Sequence, residues 1–102
     1  MSISESFKCF MENAPEYQNA QMQFVSNLSN ISKLDRKTET LAYLSVLAAA
    51  RLEGGIPFHV KEAKASGATR DEIISSILIG LPAVGNCVIQ SLPIALKAFD
   101  EE

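Results

Sequence analysis

The sequence has no tryptophan, a single histidine and only two cysteines among its 102 residues. Cys9 and Cys87 lie far apart and match no spacing typical of zinc ligands or redox pairs, so we expect two reduced thiols in a cytoplasmic protein. With one histidine and no clustered carboxylate pair, neither a metal site nor a cofactor is predicted. The N-terminus has no basic start followed by an apolar core, so it predicts no signal peptide.

Basic charge is sparse and scattered. The nine lysine and arginine residues form no stripe along the chain, and the net charge is -3. Nucleic acid binding depends on clustered positive charge that displaces counterions from phosphates, so nucleic acid is not an expected partner. The apolar fraction of 47% favours a folded protein, and the length fits one domain covering residues 1–102.

Charge is missing altogether from Ile73 to Leu96, a run of 24 residues. A membrane-spanning helix needs about 20 apolar residues, so the length would allow one. The breaks at Gly80, Pro82 and Pro93, together with several polar residues, argue against membrane insertion. A chain of this size has little room to bury so much neutral surface by itself. This neutral surface is therefore expected to be buried between subunits, which predicts an obligate homo-oligomer.

Helical signals recur along the chain, and no segment alternates as a half-buried strand does. The stretch "KTETLAYLSVLAAARLE" is apolar nearly all round for three turns, which predicts a central helix packed on several sides. The segment "SNISK" before it is predicted to be a linker. We therefore predict an all-α fold of five to six helices. Their expected ranges are 4–13, 15–28, a helix after Asp35, a helix from about Pro57, 70–79 and 83–99, with a bend at Pro93.

Capping signals mark several helix ends. Asp35 is predicted to cap the alanine-rich helix, and Gly67 is predicted to end the helix that carries His59 in a left-handed conformation. Thr69 and Glu72 have the Thr-x-x-Glu spacing of a capping box. A new helix is therefore expected to begin at residue 70.

The segment "LDRKTETLAYLSVLAAARLEGGIPFHVKEAKASGATRDEI" resembles the carboxymuconolactone decarboxylase family, which includes the alkylhydroperoxidase D-type proteins. The shared features are Leu-Asp-x-Lys at 34–37, the alanine-rich helix, His-Val at 59–60, Gly-Ala-Thr at 67–69 and Glu-Ile at 72–73. The resemblance covers residues 34–99. It implies an all-helical alkylhydroperoxidase D-like fold assembled as a homotrimer or homohexamer.

The sequence departs from the peroxidase-type members of this family. Those members have a Cys-x-x-Cys-x-x-x-His motif, and its two cysteine positions are Leu52 and Gly55 here. Because a dithiol mechanism needs a thiolate and a resolving thiol, dithiol peroxidase activity is not expected. The family glutamate in the alanine-rich helix corresponds to Thr40, with Glu39 one position away. Decarboxylase-type members, which keep the histidine without the cysteine pair, are the better match.

His59 is the leading candidate for a catalytic group, because histidine titrates near neutral pH and can deliver a proton to a carbanion. Glu39 and Glu53 are its candidate carboxylate partners. Arg51 is a candidate for binding a substrate carboxylate through its two-pronged guanidinium group. Each also has a structural interpretation: His59 as a packed or capping residue, the charged residues as solvated surface groups, and Cys87 as a small apolar residue.

Three functions remain open at the level of sequence. The first is a lyase of the carboxymuconolactone decarboxylase type, acting without a cofactor on a small acidic or lactone-like molecule in a pocket near a subunit interface. The second is a non-catalytic oligomeric binding or scaffold protein that has lost the thiol chemistry. The third is a single-thiol peroxidase-type redox protein using Cys87, which would require Cys87 to approach His59.

Overall fold

The computed structural model describes residues 3–101, and every regular element among them is helical. Six α-helices have nine residues or more, which confirms the predicted all-α class and its five to six helices. A one-turn α-helix and two 3-10 segments complete the chain. The elements are α1 (Glu5–Asn13), α2 (Pro15–Ile31), α3 (Arg36–Ala49), a 3-10 segment (Glu53–Gly55), α4 (Ile56–Ala65), α5 (Arg70–Leu78), α6 (Leu81–Val84), a second 3-10 segment (Gly85–Ser91) and α7 (Leu92–Asp100).

The predicted capping residues have the expected geometry. The Asp35 carboxylate accepts a hydrogen bond of 2.8 Å from the backbone N–H of Thr38, at the start of α3. Thr69 and Glu72 form the capping box, with bonds of 2.9 and 3.1 Å between side chains and backbone N–H groups. Gly67 follows α4 with a φ of 98°, a left-handed conformation that glycine adopts without a steric penalty.

Two predicted boundaries were wrong. Helix α2 continues to Ile31, so most of "SNISK" is helical and the linker begins only at Ser32. The last helix does not run unbroken over 83–99, because Gly85 has a φ of 78° and a 3-10 segment follows it. Pro93 therefore lies in the first turn of α7, where its missing N–H has no helical acceptor to lose, and it bends nothing.

The chain divides into two compact units, residues 3–34 and residues 35–101. In the first unit, α1 and α2 are joined at Ala14, whose backbone N–H donates to the Phe10 carbonyl at 2.9 Å. The Phe7 and Phe10 rings of α1 contact each other, with centroids 5.8 Å apart. No residue of α1 or α2 is fully buried.

The second unit contains the hydrophobic core, built between α3, α4, α5, the second 3-10 segment and α7. Its largest fully buried apolar side chains come from each of these elements except α7, which contributes Ala95 and Ala98. Helix α3 contributes Leu44, Leu47 and Ala48 on one face. Its other face, which includes Tyr43 and Val46, is exposed. Within residues 35–101, α3 is therefore buried on one face and not on several sides.

The helical stretch Arg70–Asp100 is the one segment of residues 3–101 that is long and apolar enough to cross a membrane by length and composition. Its most apolar window has a mean hydropathy of 1.8, and 22% of that window is buried. The stretch is interrupted at Gly85, and the core helices of soluble proteins satisfy the same two criteria. Length and composition are therefore weak evidence for a membrane span.

Candidate functional site

The connection between α3 and α4 begins with an unusual residue. Arg51 has a φ of 63°, the only positive φ of a non-glycine residue in the described part of the chain. Its N–H donates to the Ala48 carbonyl at 3.3 Å, and the Leu52 N–H donates to the Leu47 carbonyl at 2.9 Å. This pair of bonds is the Schellman motif, which usually has glycine at the left-handed position. An arginine there carries backbone strain that the fold must offset.

Gly55 lies next to His59 at the end of the first 3-10 segment. A Cβ atom added at Gly55 would lie 3.8 Å from His59 Cδ2 and 3.6 Å from Leu47 Cδ1. Both are ordinary van der Waals distances. Position 55 is where the resemblance placed a cysteine, so the geometry agrees with that match even though no thiol is present.

The His59 imidazole forms a hydrogen bond with a glutamate one helical turn further along α4. His59 Nδ1 is 2.9 Å from Glu62 Oε1. Two aromatic rings contact the imidazole edge-on: Tyr43 of α3, with centroids 4.7 Å apart, and Phe58, with centroids 5.2 Å apart. The side chain of His59 is 27% exposed and that of Glu62 is 41% exposed. The pair therefore lies at the solvent edge of the unit, with its ring held on two sides.

The Glu62 contact determines which imidazole nitrogen is free. An ionised carboxylate only accepts hydrogen bonds, so Nδ1 of His59 must donate to Glu62. Nε2 has no hydrogen-bond partner among residues 3–101 and is left available to a ligand. Where histidine transfers protons, one ring nitrogen is commonly held by a hydrogen bond while the other faces the substrate.

The carboxylate next to His59 was not among the predicted partners. Glu53 is instead 3.4 Å from Arg51 Nε, and Glu39 makes no side-chain hydrogen bond with the described residues. Thr40, which a gapless match to the family places at the glutamate position, is buried and donates its hydroxyl to the Arg36 carbonyl at 2.7 Å. The i, i+3 spacing of "HVKE" was the available signal for Glu62, because residues three apart share a helix face.

The contacts of Cys87 are local. It lies half-buried in the second 3-10 segment, and its thiol donates to the Val84 carbonyl at 3.6 Å. Neither that contact nor the thiol's setting supplies a base, so the single-thiol redox hypothesis gains no support. Within residues 3–101, no group of three or more histidine, cysteine and acidic residues is arranged to hold a metal ion.

Two clefts are among the best formed on the surface of the second unit. One, of about 430 Å³, lies between α4 and the end of α7 and is lined by two lysines and two acidic residues: Lys61, Lys64, Asp100 and Glu101. The other, of about 330 Å³, is a shallow and mostly apolar cleft between α3 and α5. His59 lines neither cleft. A ligand that contacts His59 therefore lies outside both of these clefts.

Hydrogen bonds and ion pairs at the helix ends lower the pKa values of three carboxyl groups. The backbone N–H of Thr69 and then the Lys37 ammonium hold the pKa of Glu72 below its usual value. The bidentate bond from Arg70 lowers the pKa of Asp100, and Lys61 lowers that of Glu101. The pair with Lys37 joins α3 to α5, the pair with Arg70 joins α5 to α7, and the pair with Lys61 joins α4 to the end of α7. Because each pair joins two helices, its role is structural.

The family of the chain follows from comparison with known proteins. The model of the carboxymuconolactone decarboxylase family matches residues 15–98. The chain belongs to the carboxymuconolactone decarboxylase family. A member of that family from Legionella pneumophila, solved as a crystal structure of its apo form, has a similar fold with a TM-score of 0.78. It is 23% identical, and the match covers 93% of this chain and 85% of the other. No curated protein sequence matches this chain.

Membership of the carboxymuconolactone decarboxylase family confirms the fold expected from the resemblance, and the family match extends to α2. The chemistry at His59 is a separate question, because one fold supports different reactions.

Proposed function

We propose that this family member performs proton-transfer chemistry at His59, in the form of cofactor-free decarboxylation of a small acidic or lactone-like molecule. The observation that carries the proposal is the His59–Glu62 pair, with Nδ1 bonded at 2.9 Å and Nε2 unbonded. Loss of carbon dioxide from a substrate carboxylate leaves an electron pair on carbon. In the form that carries a proton on both ring nitrogens, His59 Nε2 delivers its proton to that carbon, and the neutral ring, still protonated at Nδ1, then regains one from water.

The residues around His59 have separate proposed roles. Glu62 is a positioning residue, because it holds the proton on Nδ1 and directs Nε2 toward the substrate. The edges of Tyr43 and Phe58 restrict the imidazole plane. Arg51 is proposed to bind a second carboxylate of the substrate, since its side chain is 50% exposed and its partner Glu53 is 3.4 Å away, a weak surface pair.

The proposed active form is a homo-oligomer in the cytoplasm. His59 lines neither of these two clefts, and a wall of the proposed substrate pocket at His59 is proposed to come from a second copy. A homotrimer or homohexamer is the proposed assembly. Nucleic acid and membranes are not among the proposed partners.

A ligand screen tests the proposal. Small dicarboxylates and lactones are added to the wild type, to His59→Gln and to Glu62→Gln, and the unfolding midpoint is measured. Asp71→Asn is the control, because Asp71, in the first turn of α5, makes no side-chain hydrogen bond or ion pair with residues 3–101. We expect one compound class to raise the midpoint of wild type and control but not of His59→Gln.

Decarboxylation of that compound class is then followed by carbon dioxide release. In Glu62→Gln we expect turnover to fall and its pH profile to move, because the amide no longer holds the proton on Nδ1 in the same way. Ligand shifts that persist unchanged in His59→Gln would contradict a site at His59.

The second candidate is a non-catalytic oligomeric binding or scaffold protein. The observation that favours it is the absence of His59 from both described clefts, together with glycine and leucine at the two thiol positions. This function predicts that no compound shifts the wild type, whereas His59→Gln remains folded but melts at a lower temperature.

A further inference from the structure

Gly55 is a glycine that neither its backbone conformation nor its packing requires. Its φ of -88° and ψ of -11° lie in the right-handed helical region, which L-residues adopt without strain. Apart from its chain neighbours, the three atoms nearest to a Cβ placed there are side-chain carbons at ordinary distances, 3.6 to 3.9 Å. Glycine is less favourable than alanine in a helical conformation, because it loses more freedom on folding. The fold therefore gives no reason for the missing side chain.

The space left by Gly55 borders one particular edge of the His59 imidazole. The ring atom next to this space is Cδ2, 3.8 Å from the Cβ position, and Cδ2 is bonded directly to Nε2. Nδ1, which is bonded to Glu62 at 2.9 Å, is on the other side of the ring. A group that occupies the space therefore lies beside the nitrogen that has no hydrogen-bond partner among residues 3–101.

The other wall of this space is apolar. Both methyl groups of Leu47 face it, at 3.6 and 3.9 Å from the Cβ position. These carbons neither donate nor accept a strong hydrogen bond, so an oxygen atom placed against them would lose its hydration without compensation. Gly55 and His59 are both half-buried, so the space is not sealed inside the core. The occupant that fits is a hydrocarbon group about the size of a methyl.

We propose that Gly55 determines specificity by leaving room for an apolar carbon of the substrate beside His59 Nε2. The substrate class is thereby narrowed to small acids or lactones that carry a methyl or methylene group on the carbon next to the carboxyl or carbonyl group. This inference rests on the proposed function, because it needs a ligand at His59. It adds a preference that the His59–Glu62 pair does not imply.

The test uses two matched pairs of probes: succinate with methylsuccinate, and γ-butyrolactone with α-methyl-γ-butyrolactone. Because His59 is the one histidine of the chain, the Hδ2 and Hε1 signals of its ring are identified directly in NMR spectra of the untagged protein. Titrations followed by these signals give the affinity of each probe for the wild type, Gly55→Ala and Gly80→Ala. Gly80 is the matched control, because its φ of -83° lies in the same region and a Cβ there would contact Val84 and Val88 at 3.5 Å, not His59.

In at least one pair, we expect the methylated probe to bind the wild type and Gly80→Ala about 4-fold or more tightly than its partner, as burial of one methyl group predicts. The preference should disappear in Gly55→Ala, where the methyl group of the protein fills the space. In the wild type, the methyl group of the probe should show nuclear Overhauser contacts to the Leu47 methyls and to His59 Hδ2, stronger than to Hε1.

The outcomes separate this inference from the function on which it rests. If no probe moves the His59 signals of the wild type, the proposed function and the role of Gly55 are both overturned. Equal affinity within both pairs, a methyl preference that survives in Gly55→Ala, or one lost equally in Gly80→Ala would overturn the role of Gly55 alone. If Gly55→Ala does not fold, the contacts in the wild type decide, and their absence at Hδ2 overturns the inference.

Discussion

Replacing Arg51 by glycine should stabilise the protein. Arg51 occupies the left-handed position that ends α3, with a φ of 63°. That conformation costs an L-residue about 1–2 kcal/mol, and glycine removes the cost. Glycine in turn loses about 0.5–1 kcal/mol through the greater freedom of the unfolded chain. The exposed pair with Glu53 contributes at most about 0.5 kcal/mol.

The net effect of Arg51→Gly is a gain of about 0.5 kcal/mol, or a rise of about 2–4 °C in Tm for a chain of this length. Thermal and urea unfolding measure it, at matched protein concentration because the proposed self-association would also shift Tm. If Arg51 binds a substrate carboxylate, the same variant should lose the ligand shift, as expected when a strained residue is kept for function.

Gly67→Ala is the converse control. Gly67 ends α4 with a φ of 98° in the same hydrogen-bonded motif, and a Cβ added there meets no atom within 4 Å. Crowding is therefore absent, and the substitution tests backbone conformation alone. We expect a loss of about 1 kcal/mol. A stable Gly67→Ala together with an unchanged or destabilised Arg51→Gly would refute the argument from backbone strain.

Three further predictions concern stability. Ser91 is fully buried and its hydroxyl has no hydrogen-bond partner among residues 3–101, so Ser91→Ala should raise the unfolding free energy by about 1 kcal/mol. Ser76→Ala, which removes a bonded hydroxyl, should lower it by about as much in urea titrations. Because the pKa of Glu72 is lowered in the native state, the Glu72 carboxylate stabilises that state above the ordinary pKa of 4.5, and this stabilisation is lost as the pH falls through the lowered pKa. Between about pH 5 and pH 3, the Tm of Glu72→Gln should therefore fall less steeply than that of the wild type. Gly55→Ala should be neutral or stabilising by up to about 0.5 kcal/mol by thermal melts, since its φ of -88° suits alanine, and a large loss would show that the space beside His59 is tighter than described.

Predictions of local structure from the sequence succeeded where neighbouring residues decide the outcome. Asp35, Gly67 and the Thr69–Glu72 pair act through bonds within three or four residues, so their roles are readable from spacing alone. The prediction of one long last helix was wrong because the spacing of apolar residues carries no signal for a residue in the left-handed conformation. Gly85 has that conformation and divides the predicted helix into α6, a 3-10 segment and α7.

The candidate site was only partly predictable. His59 was predicted as a site residue because it is the one histidine in the segment that resembles the family. Its partner Glu62, one helical turn away, was not predicted, although the i, i+3 spacing of the two residues indicates a contact. The contact with Tyr43 was beyond sequence reasoning, because it joins two helices whose crossing depends on the whole core. Glu39 and Glu53 were plausible partners of His59 by position along the chain. Glu53 instead pairs with Arg51, and Glu39 makes no side-chain hydrogen bond with the described residues.

The sequence by itself determined the helical class, the helix caps, the loss of the thiol pair and the family, because these depend on residue identity and short spacing. Tertiary structure was needed to show which carboxylate meets His59 and that Arg51 bears backbone strain. The reason is physical. Burial and side-chain contact depend on how the helices pack, and that packing arises from many weak contacts between residues distant in the chain.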